Sequence, residues 1–340
     1  YIVDNIDDDD MIQETFNGIV RDIDNEENAN ILWFVTHFKR NNYIINVLKQ
    51  AALGLLKDTT RMSLDDDIMV FNELMENVPH LVYEEASVKE NRRNRNEIRD
   101  KVQDDYDAER EEYTYEKEKE DTEDYKQSIE VVEYIKARKL SEALGNILKN
   151  YSGSLKKEVK EELAHITLNL SLKAHAELIS RFSGNTEHLV NLFSEMLLQK
   201  GKMTKEDSIK KSKEFVFAFV NALCFSVIKN SVNEISTKNL LNAFERIIND
   251  SESPTSLFLI SYGVFLDNQI FDDRTISSMR QKYKDLSNNK VARFTLRYLV
   301  IEQLLYFEMP SAKKQKVCQI FDIDYRAAIK EQQRAAINNN

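Results

Sequence analysis

The sequence is poor in the residues that punctuate turns. Its 340 residues hold seven glycines and three prolines, where average usage is roughly 7% glycine and 5% proline. That scarcity argues against an α/β enzyme built on Gly-rich turns and favours long helices with short joints. Two cysteines, Cys224 and Cys318, are too few for a disulfide framework. Both lie among apolar residues and are expected as inert, buried thiols of a reducing compartment. No secretory leader is expected. The most apolar run, Phe215 to Ile228, falls short of the roughly 20 residues a transmembrane helix needs, so a central buried helix is expected and no membrane partner. The chain also lacks a GxxxxGKS/T P-loop, GxGxxG, HExxH, GxSxG and any clustered Cys/His set. It therefore carries no complete catalytic motif and no cofactor or metal site of its own. A formal net charge of −11 argues against nucleic acid and anionic membranes as partners, and a cytoplasmic location is expected.

What is present is helical periodicity. Apolar residues recur at i, i+3, i+4 through most of the chain, interleaved with charge, and the fold class read from this is all-α. Residues 1–83 form a small helical module, winged-helix-like in size. It opens on a β-like triplet, Tyr1-Ile-Val, before the carboxylate run Asp7 to Asp10. Within it Ser63 is expected to cap a helix with Asp65 to Asp67 in its first turn, where they favour the positive dipole end, and which ends before Pro79. Residues 84–126 form a charged connector. Its basic half, Val88 to Lys101, precedes an acidic half, Asp104 to Asp124, and neither has an apolar stripe wide enough to bury. Residues 127–325 form an array of longer helices with short joints, paired as in solenoids but without a fixed period. Residues 326–340 are a polar tail expected to fray. The first residue is Tyr1 rather than Met, which leaves room for a longer parent protein.

Four groups of residues suggest chemistry. Tyr1-Ile-Val-Asp4 has the apolar-then-Asp form of a Walker B strand end, a pattern common by chance. Glu162 and His165 have the i, i+3 spacing of carboxylate-bridged di-iron bundles, but no second Glu-x-x-His exists, so an interhelix contact is expected. Arg181 and His188 resemble the R-x(4–6)-H motif of the all-α HEPN ribonucleases. There the arginine steadies phosphate charge and the histidine does acid–base work. Gly184-Asn185 falls between them and can place them on different helices. Arg92, Arg93, Arg95 and Arg99 are candidates for an interaction surface, with a phosphate ligand or the acidic block as the counter-charge.

The order of features resembles the region downstream of the ATPase core in prokaryotic STAND NTPases, signal-transduction ATPases of antiviral defence. The residues that carry the likeness are Ile31-Leu-Trp-Phe, Phe38-Lys-Arg-Asn-Asn-Tyr43, the stretch leading to Pro79, Asn91-Arg-Arg-Asn-Arg-Asn-Glu97 and Leu144-Gly-Asn-Ile-Leu-Lys-Asn-Tyr151. The resemblance spans roughly residues 30–320. It implies a regulatory and sensor helical region acting by protein recognition and conformational switching. It also implies a protein trigger or effector as partner, homo-oligomerisation in the full-length context, and an ATP/Mg²⁺ site upstream of Tyr1. A free-standing helical-repeat adaptor and a HEPN-like ribonuclease using Arg181 and His188 are the alternatives.

Overall fold

The computed structural model describes residues 2–38, 40–101, 129–199, 203–241 and 254–326. In chain order these form α1 (Ile2–Asn5), α2 (Asp10–Arg21), α3 (Glu26–Phe38), α4 (Asn42–Gly54), α5 (Met69–Asn72) and β1 (Leu81–Glu84). A helix over residues 88–101, α6, follows. Then come α7 (Ile129–Tyr151), α8 (Lys157–Gly184), α9 (Thr186–Gln199), α10 (Lys205–Ile235) and a 3₁₀ turn (Lys238–Leu240). The last elements are α11 (Pro254–Asp267), α12 (Asp273–Asp285), α13 (Lys290–Tyr306), α14 (Ser311–Ile320) and β2 (Ile323–Arg326). The chain is all-α with almost no strand. Ile2–Asn5 is helical rather than extended, and among the described residues no strand precedes Leu81. The acidic tract Asp104 to Asp124, the end of the helix expected over Ser236 to Asn249, and residues 327–340 of the tail lie outside the described residues.

Two compact units are present, and they do not follow the chain in sequence. The first joins Tyr1–Val78 to Ser128–Leu296; the second joins Pro79–Gln127 to Arg297–Asn340. The expected boundary at residue 83 therefore shifts to Val78, and the segments on either side of the connector meet in one core. The reason is burial. Short helices such as α3 and α4 cannot cover their own apolar faces, and Leu32 and Leu48, both fully buried, lie on helices packed against α7 and α8. Polar ties fix the same joint. The Lys136 ammonium donates to the Arg21 carbonyl at 2.7 Å and pairs with Asp24 at 3.2 Å. The Tyr151 hydroxyl donates to the His37 carbonyl at 2.9 Å.

Several helix starts follow from local sequence. Asp9, the third carboxylate of the acidic run, accepts from the amides of Met11 and Ile12 at the start of α2. Thr204 accepts from the Asp207 amide at 3.1 Å while its hydroxyl donates to the Asp207 carboxylate at 2.7 Å, opening α10. The stretch after Ser63 behaves differently. Ser63 accepts from the amides of Asp65 and Asp66, yet only a turn and the four-residue α5 follow. The Asp65 carboxylate instead accepts from the Thr255 amide at 3.1 Å and from its hydroxyl. It thus caps the positive end of α11, some 190 positions along the chain. The Leu64 amide donates to Ser256 at 3.1 Å. These tertiary bonds hold the segment out of a longer helix.

The centre of the first unit is α10. At 31 residues it is about 46 Å long at about 1.5 Å per residue. Its most apolar window has a mean hydropathy of 1.7, and half of that window is buried. Length therefore does not separate it from a membrane span; what the structure shows is its packing. Val216, Phe217, Val220, Cys224, Val227, Ile228 and Val232 are buried on a helix that packs on α7, α8, α9 and α11. Small side chains line these contacts. Ser194 and Ser208 share a hydrogen bond at 2.8 Å between α9 and α10, and Ser171 and Ser231 another at 2.8 Å between α8 and α10. Gly145 of α7 lies so close that a Cβ there would sit 2.5 Å from the Glu234 carbonyl oxygen, and a Cβ on Gly263 of α11 would collide with Val232.

In the second unit β1 and β2 pair in parallel, Leu81 opposite Ile323 through Glu84 opposite Arg326. The last four carbonyls of α13 are each satisfied. The Phe307 amide donates to Gln303 at 3.1 Å. The Tyr83 hydroxyl donates to Leu304 at 3.0 Å, the Asn91 amide group to Leu305 at 3.0 Å and the Arg92 guanidinium to Tyr306 at 2.7 Å. These are the acceptors a helix C-terminus leaves open. Beside them Glu85 accepts from Tyr325 at 2.6 Å and Ser311 at 2.8 Å and pairs with Lys314 at 3.4 Å. Those donors, Tyr325 first, hold its pKa below the usual carboxylate range.

The glycines give a direct test of the packing. Gly18, inside α2, has nothing within 4 Å of an added Cβ, so Gly18→Ala is expected to stabilise by up to about 1 kcal/mol through helix propensity. Gly145→Ala gains the same propensity but drives a methyl into backbone, so a net loss of about 1–3 kcal/mol is expected. Urea unfolding of the two variants against the parent measures both signs.

Candidate functional site

The residue types read from sequence as interaction or catalytic candidates are distributed over both units. In the second unit the arginines of α6 divide into two kinds. Arg92 closes the C-terminus of α13 and lies 5.6 Å from the Phe307 ring centroid, and Arg95 stacks 4.3 Å from the Tyr306 centroid. Arg93 pairs with Glu97 one turn on at 3.4 Å, and Arg99 is exposed. Part of the basic cluster thus serves the helix end it faces, where a cation also complements the dipole.

In the first unit Arg181 is exposed near the end of α8 and donates to Glu177 at 2.9 Å. His188 is exposed on α9, after the one-residue junction at Asn185. The two stand on successive helices. Arg181 lines a cavity of about 400 Å³ with Leu56, Tyr134, Lys173 and Leu178; His188 is not among its lining residues. Leu56 at its edge has φ 53°, and its carbonyl accepts from the Lys173 ammonium at 3.0 Å. Glu162 pairs with Lys49 of α4 at 2.6 Å, and His165 hydrogen-bonds Asn169 at 3.0 Å, so the Glu-x-x-His pair is engaged in contacts between and along helices. Among the described residues no group of His, Cys, Asp and Glu has the arrangement of a metal site. Burial pushes the Cys224 thiol up to about 12 and the Cys318 thiol up to about 11, as expected of inert thiols.

The residues that converge most were not singled out by any motif. Along α7, Arg138, Glu142, Asn146 and Lys149 recur at helical spacing and present one face. Opposite them α10 supplies Asn230, Asn233 and Glu234, and α3 supplies Trp33. Together they line a polar cleft of about 290 Å³. Arg138 donates to Glu142 at 3.2 Å, and the other Glu142 oxygen lies 3.9 Å from the Lys139 ammonium. The Asn146 side-chain Nδ2 is buried with no hydrogen-bond partner.

Glu234 is the electrostatic centre of the cleft. Its Oε2 lies 2.5 Å from the Ser141 hydroxyl, which is also 3.3 Å from the Thr167 carbonyl. A serine has one proton to give. Ser141 therefore serves the Glu234 carboxyl at the shorter distance and the Thr167 carbonyl at the longer one. Burial is the largest cause of a shift that raises Glu234 to about 7; the Ser141 bond opposes it, Glu142 adds to it, and Arg138 and Lys149 act against it. Burial likewise lowers Lys149, against the pull of Glu234 and Asp267. Titratable groups displaced toward neutrality in a cleft mark a candidate site. The pairing of this α7 face with α10, 93 positions along the chain at Ser141–Glu234, has no signal in a local window of sequence.

A second feature is apolar. On α3, Trp33, Phe34 and Phe38 are 45%, 54% and 76% exposed. They form a continuous ridge, with Trp33 edge-on to Phe34 at 5.4 Å and Phe34 stacked on Phe38 at 6.3 Å. On α10, Phe215 and Phe219 are also exposed, in ring contact with Phe193 of α9 and Phe182 of α8.

No protein-family model, curated protein or solved structure matches this chain.

Two outcomes follow from the geometry. Arg92→Ala removes a charge-assisted bond to the end of α13 and is expected to cost the second unit about 1 kcal/mol, whereas Arg99→Ala is expected to be neutral; hydrogen exchange of the α13 amides distinguishes them. For Glu234 the folded pKa lies above the unfolded one, so between about pH 4.5 and 7 the native state holds the extra proton. Stability therefore falls as pH rises through that window, by on the order of 3 kcal/mol. Glu234→Gln is expected to leave stability at pH 5 nearly unchanged and to raise it at pH 8, read from the pH dependence of urea midpoints.

Proposed function

We propose that this chain is the regulatory and sensor helical region of a STAND-like ATPase, acting by protein recognition and conformational switching. The observation that carries the reading is the aromatic ridge on α3. It falls on Ile31-Leu-Trp-Phe and Phe38, residues that carry the sequence resemblance, and it leaves three aromatic side chains in solvent. Aromatic anchors of this kind dominate protein–protein interfaces, and contiguous apolar surface is uncommon where nothing docks. The exposed phenylalanines of α10 support assembly of copies in the full-length protein. The partner for the ridge is a protein trigger or effector.

The test has two arms. The parent gene is expected to encode a P-loop ATPase domain upstream of Tyr1; a reading frame without one overturns the STAND assignment. In that full-length protein, Phe34→Ala with Phe38→Ala is expected to preserve the helical circular dichroism spectrum and to reduce trigger-dependent assembly at least tenfold. Unchanged assembly overturns the assignment of the ridge as the recognition surface.

A further inference from the structure

The polar cleft between α3, α7 and α10 goes beyond a protein-recognition role, because its chemistry suits a small molecule. We propose that it binds a small monocarboxylate, held by the Asn146 amide and the Lys149 ammonium, with Trp33 at its rim.

Three observations carry this. The first is the orphan donor. Asn146 Nδ2 is buried without a partner, and a buried donor left unpaired is costly and rare in native proteins. An acceptor oxygen in the cleft removes that cost. The second is charge. Arg138 is paired with Glu142, whereas Lys149, one turn beyond Asn146 on the same face of α7, has no ion pair among the described residues. Lys149, acted on by Glu234 and Asp267 without a close ion pair, and the neutral Asn146 donor beside it fit one negative charge. A phosphate carries up to two and would set the second against Glu142 and Glu234, with the only arginine of the cleft already engaged. The third is size. At about 290 Å³ the cleft lies at the lower edge of small-molecule sites, about 300–1,000 Å³. The remainder of such a ligand meets the amides of Asn230 and Asn233 and the Trp33 indole, a mixture that suits a short polar or planar body.

Glu234 makes the site pH-sensitive. The charged groups around it are Arg138, Glu142 and Lys149, all from α7, with Asp267 of α11 acting on Lys149; among the described residues α3 contributes Trp33 to the lining and α10 two further amides. While Glu234 keeps its proton the cleft tolerates an anion. Once it ionises, a second carboxylate stands beside the bound one, and affinity falls as pH rises from 6 to 8.

Trp33 is the chain's one tryptophan, so indole fluorescence reports this single position at the cleft rim. The experiment titrates the chain with acetate, benzoate and N-acetylglycine, and with inorganic phosphate and chloride as comparators, at constant ionic strength. Saturable changes are expected with at least one carboxylate, weaker by tenfold or more in Lys149→Met and in Asn146→Leu. The affinity is expected to drop between pH 6 and pH 8 in the parent and to stay level in Glu234→Gln. Lys149 is exposed enough for its variant to fold, which circular dichroism checks. Absence of saturation with every carboxylate at 20 mM or so, phosphate binding as tightly as the best carboxylate, or undiminished binding in Lys149→Met overturns the proposal. Phe38→Ala, which alters the ridge at the ring that stacks on Phe34 rather than on Trp33, leaves this titration intact, so failure of the recognition surface and failure of the cleft are read separately.

Discussion

The first unit depends on how closely α10 approaches its neighbours. In a chain with seven glycines, two sit inside helices at points where a methyl group would collide with α10: Gly145 on α7 and Gly263 on α11. Both contacts fall on its last turns, at Glu234 and Val232. Serines continue the pattern along its length, at Ser208 and Ser231. Small residues let helix axes come together, and the hydroxyls satisfy one another where no water reaches. The approach at Gly145 is also what places the Glu234 carboxyl against Ser141, one turn before the glycine. The polar cleft is therefore a by-product of tight backbone packing: the same turn that closes the α7–α10 contact sets an ionisable side chain at the edge of the core.

What the sequence shows well is what repeats locally. The long helices α7, α8, α10 and α13 are the most legible elements, because a helix of about 15 or more residues carries many votes for one period. The Thr204–Asp207 cap of α10 is local and was legible. The Ser63 segment was not, although its own residues favour a helix. Its decisive carboxylate, Asp65, is committed to the start of α11, and no window of ten or twenty residues contains that fact. The same limit hides β1 and β2. Each is four residues long, and their pairing joins positions more than 200 apart.

The basic segment shows how composition and geometry part company. Read as composition, Arg92, Arg93, Arg95 and Arg99 form one patch. On a helix they fall on different faces, and α6 uses one face to complete the end of α13. Asn91 and Arg92 fill acceptors that would otherwise be met by water, and Arg95 covers the terminal tyrosine ring. The connector between modules thus becomes, over residues 84–101, a working part of the second unit. Its lack of an apolar stripe is consistent with that role, since beside the buried Val88 the contacts it makes are hydrogen bonds to carbonyls and cation–aromatic stacking.

The two proposed activities share one side chain. Trp33 lines the cleft and is also the inner member of the aromatic ridge, in edge contact with Phe34 and stacked 4.5 Å from His37. A ligand that fixes the indole from the cleft side therefore acts on the surface that a protein partner would read. Coupling of this kind is reciprocal: whatever the ligand does to partner affinity, the partner does equally to ligand affinity. The magnitude is bounded by what one shared aromatic contact supplies, about 0.5–1.5 kcal/mol, or roughly a factor of two to ten in affinity. That is too little to throw a strongly biased two-state equilibrium, which needs about 5.5 kcal/mol. A cleft ligand would tune recognition on α3 and leave the larger part of any switch to the trigger itself.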